Sequence, residues 1–276
     1  MANITAAAVK SLRERTGLPM MDCKKALQEV DGDEDAAIEM LRKAGKQTMD
    51  KRADRETSTG RVAIYTDMDA GVGAMIELLC ESAPVASNEE FVALAEDMAK
   101  QLATGPGAST PDELLDQPSP SDSSKTLRQI FDDLNNRIRE VFRLNRIARI
   151  DANCGGYVHH NGSVGVLLEV EGTDANLAKD ICMHVAAMRP LVVAVEELDQ
   201  DMVAKEREIL SEAARKEGKP ENIIEKMVEG RLRNFYAERC LNEQPYVKDD
   251  KQTVGKAANA GGLKVVRFVH WEVGKE

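Results

Sequence analysis

The chain has 276 residues, of which 42% are hydrophobic and only 4% aromatic, and its formal net charge is −11. This length suffices for two or three compact units, whose cores must be built mainly from aliphatic side chains. The negative charge disfavours a general nucleic-acid binder, since neutralising phosphates requires a positive field. Composition therefore predicts a protein that docks on another protein and makes no direct contact with nucleic acid.

The N-terminus and the cysteines indicate the compartment. Residues 1–5 lack the basic and apolar regions of a signal peptide, and no apolar run reaches the roughly 20 residues that span a bilayer. The five cysteines are odd in number and scattered, which favours reduced, buried thiols over a disulfide framework. We therefore expect a cytoplasmic protein that does not bind membranes.

The first 54 residues predict a bundle of three short helices. Thr5 is typical of a helix N-cap and Gly17 of a helix end. The periodicity then predicts a second helix over 22–30 and a third from Asp33 to Gly45. The charged segment 46–55 follows, and we interpret it as a solvated linker helix.

The turn between the first two helices contains Leu18, Pro19, Met20 and Met21. Methionine is flexible and fills irregular gaps, so we expect one of the two to plug the small core. The other would then be exposed beside Leu18 and Pro19. An exposed apolar group of this kind is typical of a contact site for a partner protein.

From Gly60 the hydrophobic period changes to that of strands. Strands are predicted at 61–65 and 73–80, followed by a helix at 88–103 and two loops rich in Gly, Pro and Ser at 104–111 and 117–124. The same order of elements recurs from Gly155, with strands at 157–158 and 164–170 and a helix at 175–187. This recurrence predicts an internal duplication, with each small sheet covered by helices or by its sister unit.

Residues 198–243 interrupt the second half with helical sequence. The break Gly218-Lys-Pro220 predicts an antiparallel helical hairpin, with Pro220 in the first turn of its second helix. Two alternatives, a monomer and a homodimer formed through this hairpin, stay open. The strand predicted at 263–273 closes the second sheet. The predicted fold is α+β, with units 1–54, 55–150 and 151–276, the last carrying the hairpin insert 198–243.

The residue patterns give little support for an enzyme. Phosphate-loop and Rossmann patterns are absent, so we expect no nucleotide and no cofactor. His159 and His160 are adjacent and would face opposite ways on a strand, which disfavours a shared metal ion. Cys182 and His184 are two apart on a helix and would point to different faces, so we expect Cys182 inside and His184 to cap or rim the helix. A metal- or thiol-dependent enzyme would rest only on these scattered cysteines and histidines.

Pro84 lies between a predicted strand and a predicted helix. It fixes its own φ, lacks an amide donor and disfavours the helical conformation at Ala83. We therefore expect residues 81–85 to form a stiff, extended bend.

Four segments resemble the bacterial elongation factor Ts family and together extend over the whole chain. The first two are Met1–Leu27, with Thr16-Gly-Leu-Pro-Met-Met21, and Ile76–Phe91, with Cys80-Glu81. The other two are Met183-His-Val-Ala-Ala-Met-Arg-Pro190 and Gly218–Leu232.

The resemblance implies an α+β fold with a ubiquitin-associated-like three-helix domain and two core subdomains. It also implies a guanine nucleotide exchange factor for elongation factor Tu, which binds the GDP form of that GTPase and promotes loss of Mg²⁺ and GDP. The alternative is a protein that holds or chaperones factor Tu with little exchange activity.

The resemblance also implies three contact segments. The family's Thr-Asp-Phe-Val loop, which displaces Mg²⁺ in factor Tu, corresponds to Ser82, Ala83, Pro84 and Val85, where only the valine is retained. The turn Leu18, Pro19, Met20, Met21 resembles the contact made by the N-terminal domain. The turn containing His159, His160 and Asn161 corresponds to a contact of the second subdomain. A further departure is Arg137-Ile-Arg-Glu-Val-Phe142, in place of the family's Lys-Ile-Gly-Glu-Asn-Ile.

Overall fold

A computed structural model describes residues 4–218 and 220–275 of the chain. It combines helices with small antiparallel sheets, which confirms the predicted α+β fold. The boundaries of the units 1–54, 55–150 and 151–276 stay predictions. Residues 1–3, on which the expectation of a missing signal peptide partly rests, lie outside the described residues.

Three helices form the N-terminal bundle: α1 (Ala6–Thr16), α2 (Met20–Glu29) and α3 (Glu34–Asp50). The predicted limits of α1 are confirmed, because the Thr5 side chain accepts a hydrogen bond from the Ala8 amide and Gly17 is left-handed with φ 67°. The bundle has its own core of small and aliphatic side chains. This core consists of Val9, Leu12, Leu18, Cys23, Ala26, Leu27 and Ala37.

The third helix is longer than predicted. It passes through Gly45 and ends only at Asp50, so the predicted break at Gly45 is wrong. The reason is a tertiary contact: a Cβ on Gly45 would lie only 2.4 Å from Cγ of Asn136. Gly45 is therefore the point where α3 approaches the core closely, and it does not end the helix.

The first sheet has the order β1-β2-β3 with antiparallel pairing throughout. Its strands are β1 (Thr59–Asp67), β2 (Val72–Cys80) and β3 (Arg143–Ile150). Four helices follow β2 in the chain: α4 (Ala83–Ala86), α5 (Glu89–Thr104), α6 (Pro111–Leu115) and α7 (Leu127–Ile138). The predicted strands and α5 are confirmed, whereas β3 and α7 were not predicted.

The second sheet repeats the arrangement with the order β4-β5-β8. Its strands are β4 (Cys154–Val158), β5 (Val164–Glu171) and β8 (Lys264–Glu272), and α8 (Ala175–Met188) covers it. The closing strand is confirmed. A small β6–β7 ribbon (Pro245–Tyr246 and Asp249–Thr253) and α11 (Val254–Ala260) complete this part and were not predicted.

The two sheets pack against each other, as expected for units too small to cover both of their own faces. Val62, Met75 and Leu167 are fully buried between them. Gly165 makes this approach possible, because a Cβ there would lie 2.4 Å from Cγ1 of Val62. Each sheet thus forms part of the core of the other unit.

The predicted helical hairpin consists of α9 (Gln200–Lys216) and α10 (Glu221–Arg239). Leu198, Ala214, Ile224, Val228 and Leu232 belong to the core that holds the two helices together. Pro220 caps α10 from outside its first turn, so its predicted place inside that turn is wrong by one residue. Lys219 in the predicted break lies outside the described residues.

Two expectations concern what the fold does not contain. In the described part of the chain, no helix is long and apolar enough to cross a membrane. Within the same residues, no group of three or more His, Cys, Asp or Glu side chains could hold a metal ion.

Candidate functional site

The segment Ser82–Val85 follows directly after β2. Ser82 has extended backbone angles, and the helical turn α4 begins at Ala83, so the predicted extended bend is wrong. The Ala83 and Pro84 side chains are exposed, whereas Val85 is half-buried and packs on the core of the first sheet. The segment therefore presents the two residues at its centre to the outside and is anchored by the third.

Proline fits here for a reason the sequence alone does not reveal. Pro84 lies in the first turn of α4, where amide groups have no intrahelical partner, so its missing N–H costs nothing. One backbone bond, from the Ala86 amide to the Ser82 carbonyl at 3.2 Å, closes the turn.

Two carboxylates hold the start of this turn in place. Glu140 accepts hydrogen bonds from the Ser82 amide at 3.1 Å and from the Ser82 hydroxyl at 2.6 Å. In the opposite direction, Glu81 accepts the Val141 amide at 2.8 Å and forms an ion pair with Arg55 at 3.1 Å. The end of β2 and the segment that leads into β3 are thereby cross-linked.

The turn between α1 and α2 presents two apolar side chains. Met20 is 53% exposed and Met21 is 60% exposed, so the expectation that one of them plugs the core is wrong. Leu18 and Cys23 fill that space instead, and the Cys23 thiol lies 3.7 Å from the Leu18 carbonyl oxygen. Pro19, between Leu18 and Met20 in the chain, is exposed.

The turn between β4 and β5 carries the predicted histidines. His159 and His160 lie past the end of β4, and their rings contact each other in a T-shaped arrangement with centroids 4.3 Å apart. The expectation that they face opposite ways is therefore wrong. The Tyr157 hydroxyl is 2.9 Å from Nδ1 of His159, and Asn161 accepts hydrogen bonds from the amide and hydroxyl of Ser163.

Arg61 on β1 connects the histidine turn with α4. Its Nη1 donates to the Ala86 carbonyl at 3.1 Å. A Cβ on Gly162 would lie 2.9 Å from Cβ of Arg61, and the Gly162 carbonyl accepts the Val62 amide at 2.8 Å. The turn at residues 159–162 thus lies directly against the strand whose arginine supports the end of α4.

Arg139 connects α4 with the N-terminal bundle. It is the left-handed residue that ends α7, with φ 67°, and its Nη2 is 2.7 Å from the carboxylate of Asp22 in α2. Its carbonyl accepts a hydrogen bond from Arg52 at 2.9 Å. The next residue is Glu140, which binds Ser82 directly, whereas Arg139 and Arg61 contact Asp22, Ala86 and Gly162, the residues that adjoin the three predicted contact segments.

Known proteins match this chain along its length. A family model described as "Elongation factor TS" matches residues 81–275. The elongation factor Ts of Thioalkalivibrio sulfidiphilus is 44% identical over 284 aligned positions, which cover 99% of this chain and 92% of that relative. The elongation factor Ts of Aquifex aeolicus is 40% identical with 96% of each chain covered, and that of Mycobacterium bovis is 41% identical with both chains covered completely.

This chain belongs to the elongation factor Ts family. Its role is accordingly that of a translation elongation factor. In this family member, α4 presents the exposed residues Ala83 and Pro84. Both side chains are small and uncharged and point outward.

Arg61, Arg139 and Glu140 were missed as parts of this site. Arg139 and Glu140 lie in the segment 137–142, where the sequence departs from the elongation factor Ts pattern, so this departure was the one sequence signal for them. Their contacts with Asp22 and Ser82 span 117 and 58 positions of sequence, so no local pattern reveals them.

His184, Cys182 and Cys154 of this family member are all buried. His184 is completely buried and so does not rim its helix: its Nε2–H donates to Gln244 at 2.9 Å, and its Nδ1 accepts the Val247 amide at 3.3 Å. Burial holds the pKa of His184 below its ordinary value. The predicted burial of Cys182 is confirmed, and burial raises its thiol pKa well above the ordinary value and that of Cys154 to about 12. Thiols of this kind are protonated and poor nucleophiles.

Proposed function

We propose that this chain is a guanine nucleotide exchange factor for elongation factor Tu. The observation that carries the proposal is the helical turn at Ser82–Val85, displayed at the end of a buried strand by a family member. Its outward-facing pair, Ala83 and Pro84, occupies the positions at which the resemblance places the Mg²⁺-displacing residues.

The proposed mechanism needs no covalent chemistry. A protein that binds the nucleotide-free GTPase more tightly than the GDP form lowers the affinity for GDP by the coupling free energy between the two ligands. The turn at Ser82–Val85 enters the nucleotide domain of factor Tu and shifts the groups that hold Mg²⁺ and the phosphates. GDP then dissociates, and the chain leaves unchanged.

In this proposal, two further contacts orient the turn at Ser82–Val85 on factor Tu. The exposed Met20 and Met21 supply an apolar patch on the N-terminal bundle, and large exposed apolar groups are typical of protein interfaces. His159, His160 and Asn161 supply a polar turn on the other side of Arg61. Binding through several segments raises the effective concentration of the central one.

A second candidate is a holder of factor Tu with little exchange activity. The observation that favours it is the chemistry of α4, since Ala83 and Pro84 provide neither a carboxylate nor an aromatic ring. Removing a buried aromatic anchor from an interface typically costs about 2 to 4 kcal/mol. The stiff proline offsets part of this loss, because it leaves less conformational freedom to lose on docking.

One experiment separates the two candidates. Cognate factor Tu is loaded with a fluorescent GDP, and its release is followed after adding the chain with excess unlabelled GDP. An exchange factor accelerates release in a concentration-dependent manner that saturates. A holder binds factor Tu, as seen by calorimetry, and leaves the release rate at its spontaneous value.

A further inference from the structure

The segment between α7 and β3 contains none of the proposed contact residues. It nevertheless contacts Ser82 at the start of α4, and Asp22, which follows the turn Leu18–Met21. We propose that Arg139 and Glu140 are positioning residues for nucleotide exchange. Glu140 fixes the turn that presents Ala83 and Pro84, and Arg139 fixes the N-terminal bundle relative to that turn. This inference rests on the proposed exchange function and names the residues that align its contact segments.

Glu140 supplies what α4 lacks. A single turn of helix is unstable by itself, because fixing its backbone gains very few hydrogen bonds. In α4 the Ser82 side chain does not cap the helix, and the backbone bond from the Ala86 amide to the Ser82 carbonyl closes the turn. Both Ser82 donors go instead to the two oxygens of Glu140, at 3.1 and 2.6 Å. A pair of bonds to one planar carboxylate fixes the direction of the turn as well as its position.

The cross-link is reciprocal, which makes it stiff. Glu81, the residue before Ser82, accepts the amide of Val141, the residue after Glu140, at 2.8 Å. Val141 itself is buried, and Arg55 from the segment after α3 binds Glu81 on its other side. The two chain segments therefore cannot slide past each other without breaking charge-assisted hydrogen bonds in both directions.

Arg139 extends this support to the N-terminal bundle. Its left-handed backbone, with φ 67°, is a conformation that favours glycine. The arginine side chain gives this position a function that glycine lacks, an ion pair of 2.7 Å with Asp22. Asp22 directly follows the exposed Met21. A partner that touches both Met21 and Pro84 therefore meets two surfaces whose relative placement depends on residues 139 and 140, together with the ion pair between Arg42 and Asp133.

The two residues act on different steps, so kinetics separates them. Misplacing a reacting group by about 1 Å can cost up to roughly 100-fold in rate, so loss of the Glu140 bonds acts on kcat. We expect Glu140→Ala to lower the maximal rate of GDP release about tenfold with KM for factor Tu·GDP changed less than about twofold. Partly exposed ion pairs are weaker, so Arg139→Gly and Asp22→Asn each raise KM only about threefold and leave kcat unchanged.

Two internal tests distinguish positioning from general stability. Adding Ser82→Ala to Glu140→Ala causes no further loss of kcat, because both changes remove the same interaction. Exchanging the charges, with Asp22→Arg and Arg139→Asp together, restores KM, since aspartate tolerates the left-handed conformation. Glu171→Ala is the matched control: it removes an exposed ion pair with Lys264, remote in sequence from α4, and leaves both constants unchanged.

Hydrogen exchange on the free chain gives a readout that needs no factor Tu. Glu140→Ala and Glu140→Gln both weaken protection of the Ala86 amide, which closes α4, while the amides of α5 keep theirs. Glu140→Gln retains side-chain size and one acceptor, so its kcat lies between the wild-type and alanine values. It serves as the main test if Glu140→Ala does not fold.

The failures are distinguishable. If the wild-type chain accelerates GDP release and Glu140→Gln matches it in kcat, KM and Ala86 protection, the positioning role is wrong. If restored charge pairing at residues 22 and 139 fails to restore KM, the role of Arg139 is wrong. If the wild-type chain itself does not accelerate release, the proposed exchange function is wrong, and this inference is overturned with it.

Discussion

Restoring the family's side chains on α4 should raise the exchange rate. The change is Ala83→Asp together with Pro84→Phe. Both positions are exposed, so neither side chain has to fit into the core of this chain. Ser82 keeps both of its bonds to Glu140, and an acidic residue in the first turn of a helix is tolerated.

The magnitude follows from two opposing terms. An aromatic anchor that becomes buried in an interface contributes about 2 to 4 kcal/mol. Replacing the proline makes the turn more flexible. Ordering it on docking then costs about 0.4 to 1 kcal/mol more. The net gain is about 1 to 3.6 kcal/mol, which corresponds to an increase in kcat/KM of roughly five- to 450-fold.

The assay is stopped-flow release of fluorescent GDP from cognate factor Tu. Pro84→Phe alone is the matched control, because the new aspartate lies close in the chain to the carboxylates of Glu81 and Glu140. Thermal unfolding of each variant checks that the fold is intact. An unchanged or lower rate for the double variant, with a wild-type chain that is already fast, would refute the reasoning and show that this turn acts by shape without an aromatic ring.

Three further predictions concern the bundle and the histidines His184 and His270. Deleting residues 1–54 leaves a folded core by circular dichroism and lowers GDP-release stimulation at least about tenfold, because one of several linked contacts is lost; unchanged stimulation contradicts this. Met20→Ser with Met21→Ser alters unfolding free energy by less than about 0.5 kcal/mol but raises KM about fivefold; an unaltered KM argues against the patch. Burial lowers the pKa values of His184 and His270, so unfolding free energy falls as pH drops below about 6.5 and the unfolded chain takes up protons. His184→Phe flattens this slope in denaturant titrations between pH 7.5 and 5; an equally steep slope contradicts it.

Local patterns were sufficient where a helix or strand is defined by its own residues. The Thr5 cap, the helix that begins after Asn88 and the two helices of the hairpin are examples. Local patterns failed where a contact with a residue distant in sequence determines the structure. Gly45 has the appearance of a helix end, but the close approach of Asn136 explains why a glycine lies there inside a helix that continues to Asp50.

The same reason accounts for the unpredicted β3. Its sequence from Arg143 to Ile150 is rich in arginine and shows no clear alternation, yet it pairs with β2 along its length. The carboxylate of Glu77, completely buried on β2, is neutralised by an ion pair with Arg146 at 2.8 Å. Arg146 is therefore accommodated on β3 by the single buried carboxylate of β2, and the sequence of either strand alone does not show this.

Within the candidate site, the three contact segments stay predictions from the resemblance, and the conformations expected for them were wrong. The proline rule at Ala83 did not hold, because the Glu140 bonds to Ser82 start a helical turn in which Pro84 needs no donor. The two methionines are both exposed, because Leu18 and Cys23 already fill the small core.

The central claim, that this chain acts by differential binding, is tested most directly by its affinity for factor Tu with and without GDP. Calorimetric titrations would measure the chain against nucleotide-free factor Tu and against factor Tu saturated with Mg²⁺ and GDP. The two affinities should differ by the same factor by which the chain lowers the affinity of factor Tu for GDP, since coupling is reciprocal. Equal affinity for the two forms, with tight binding to both, would contradict exchange by this route and identify a holder.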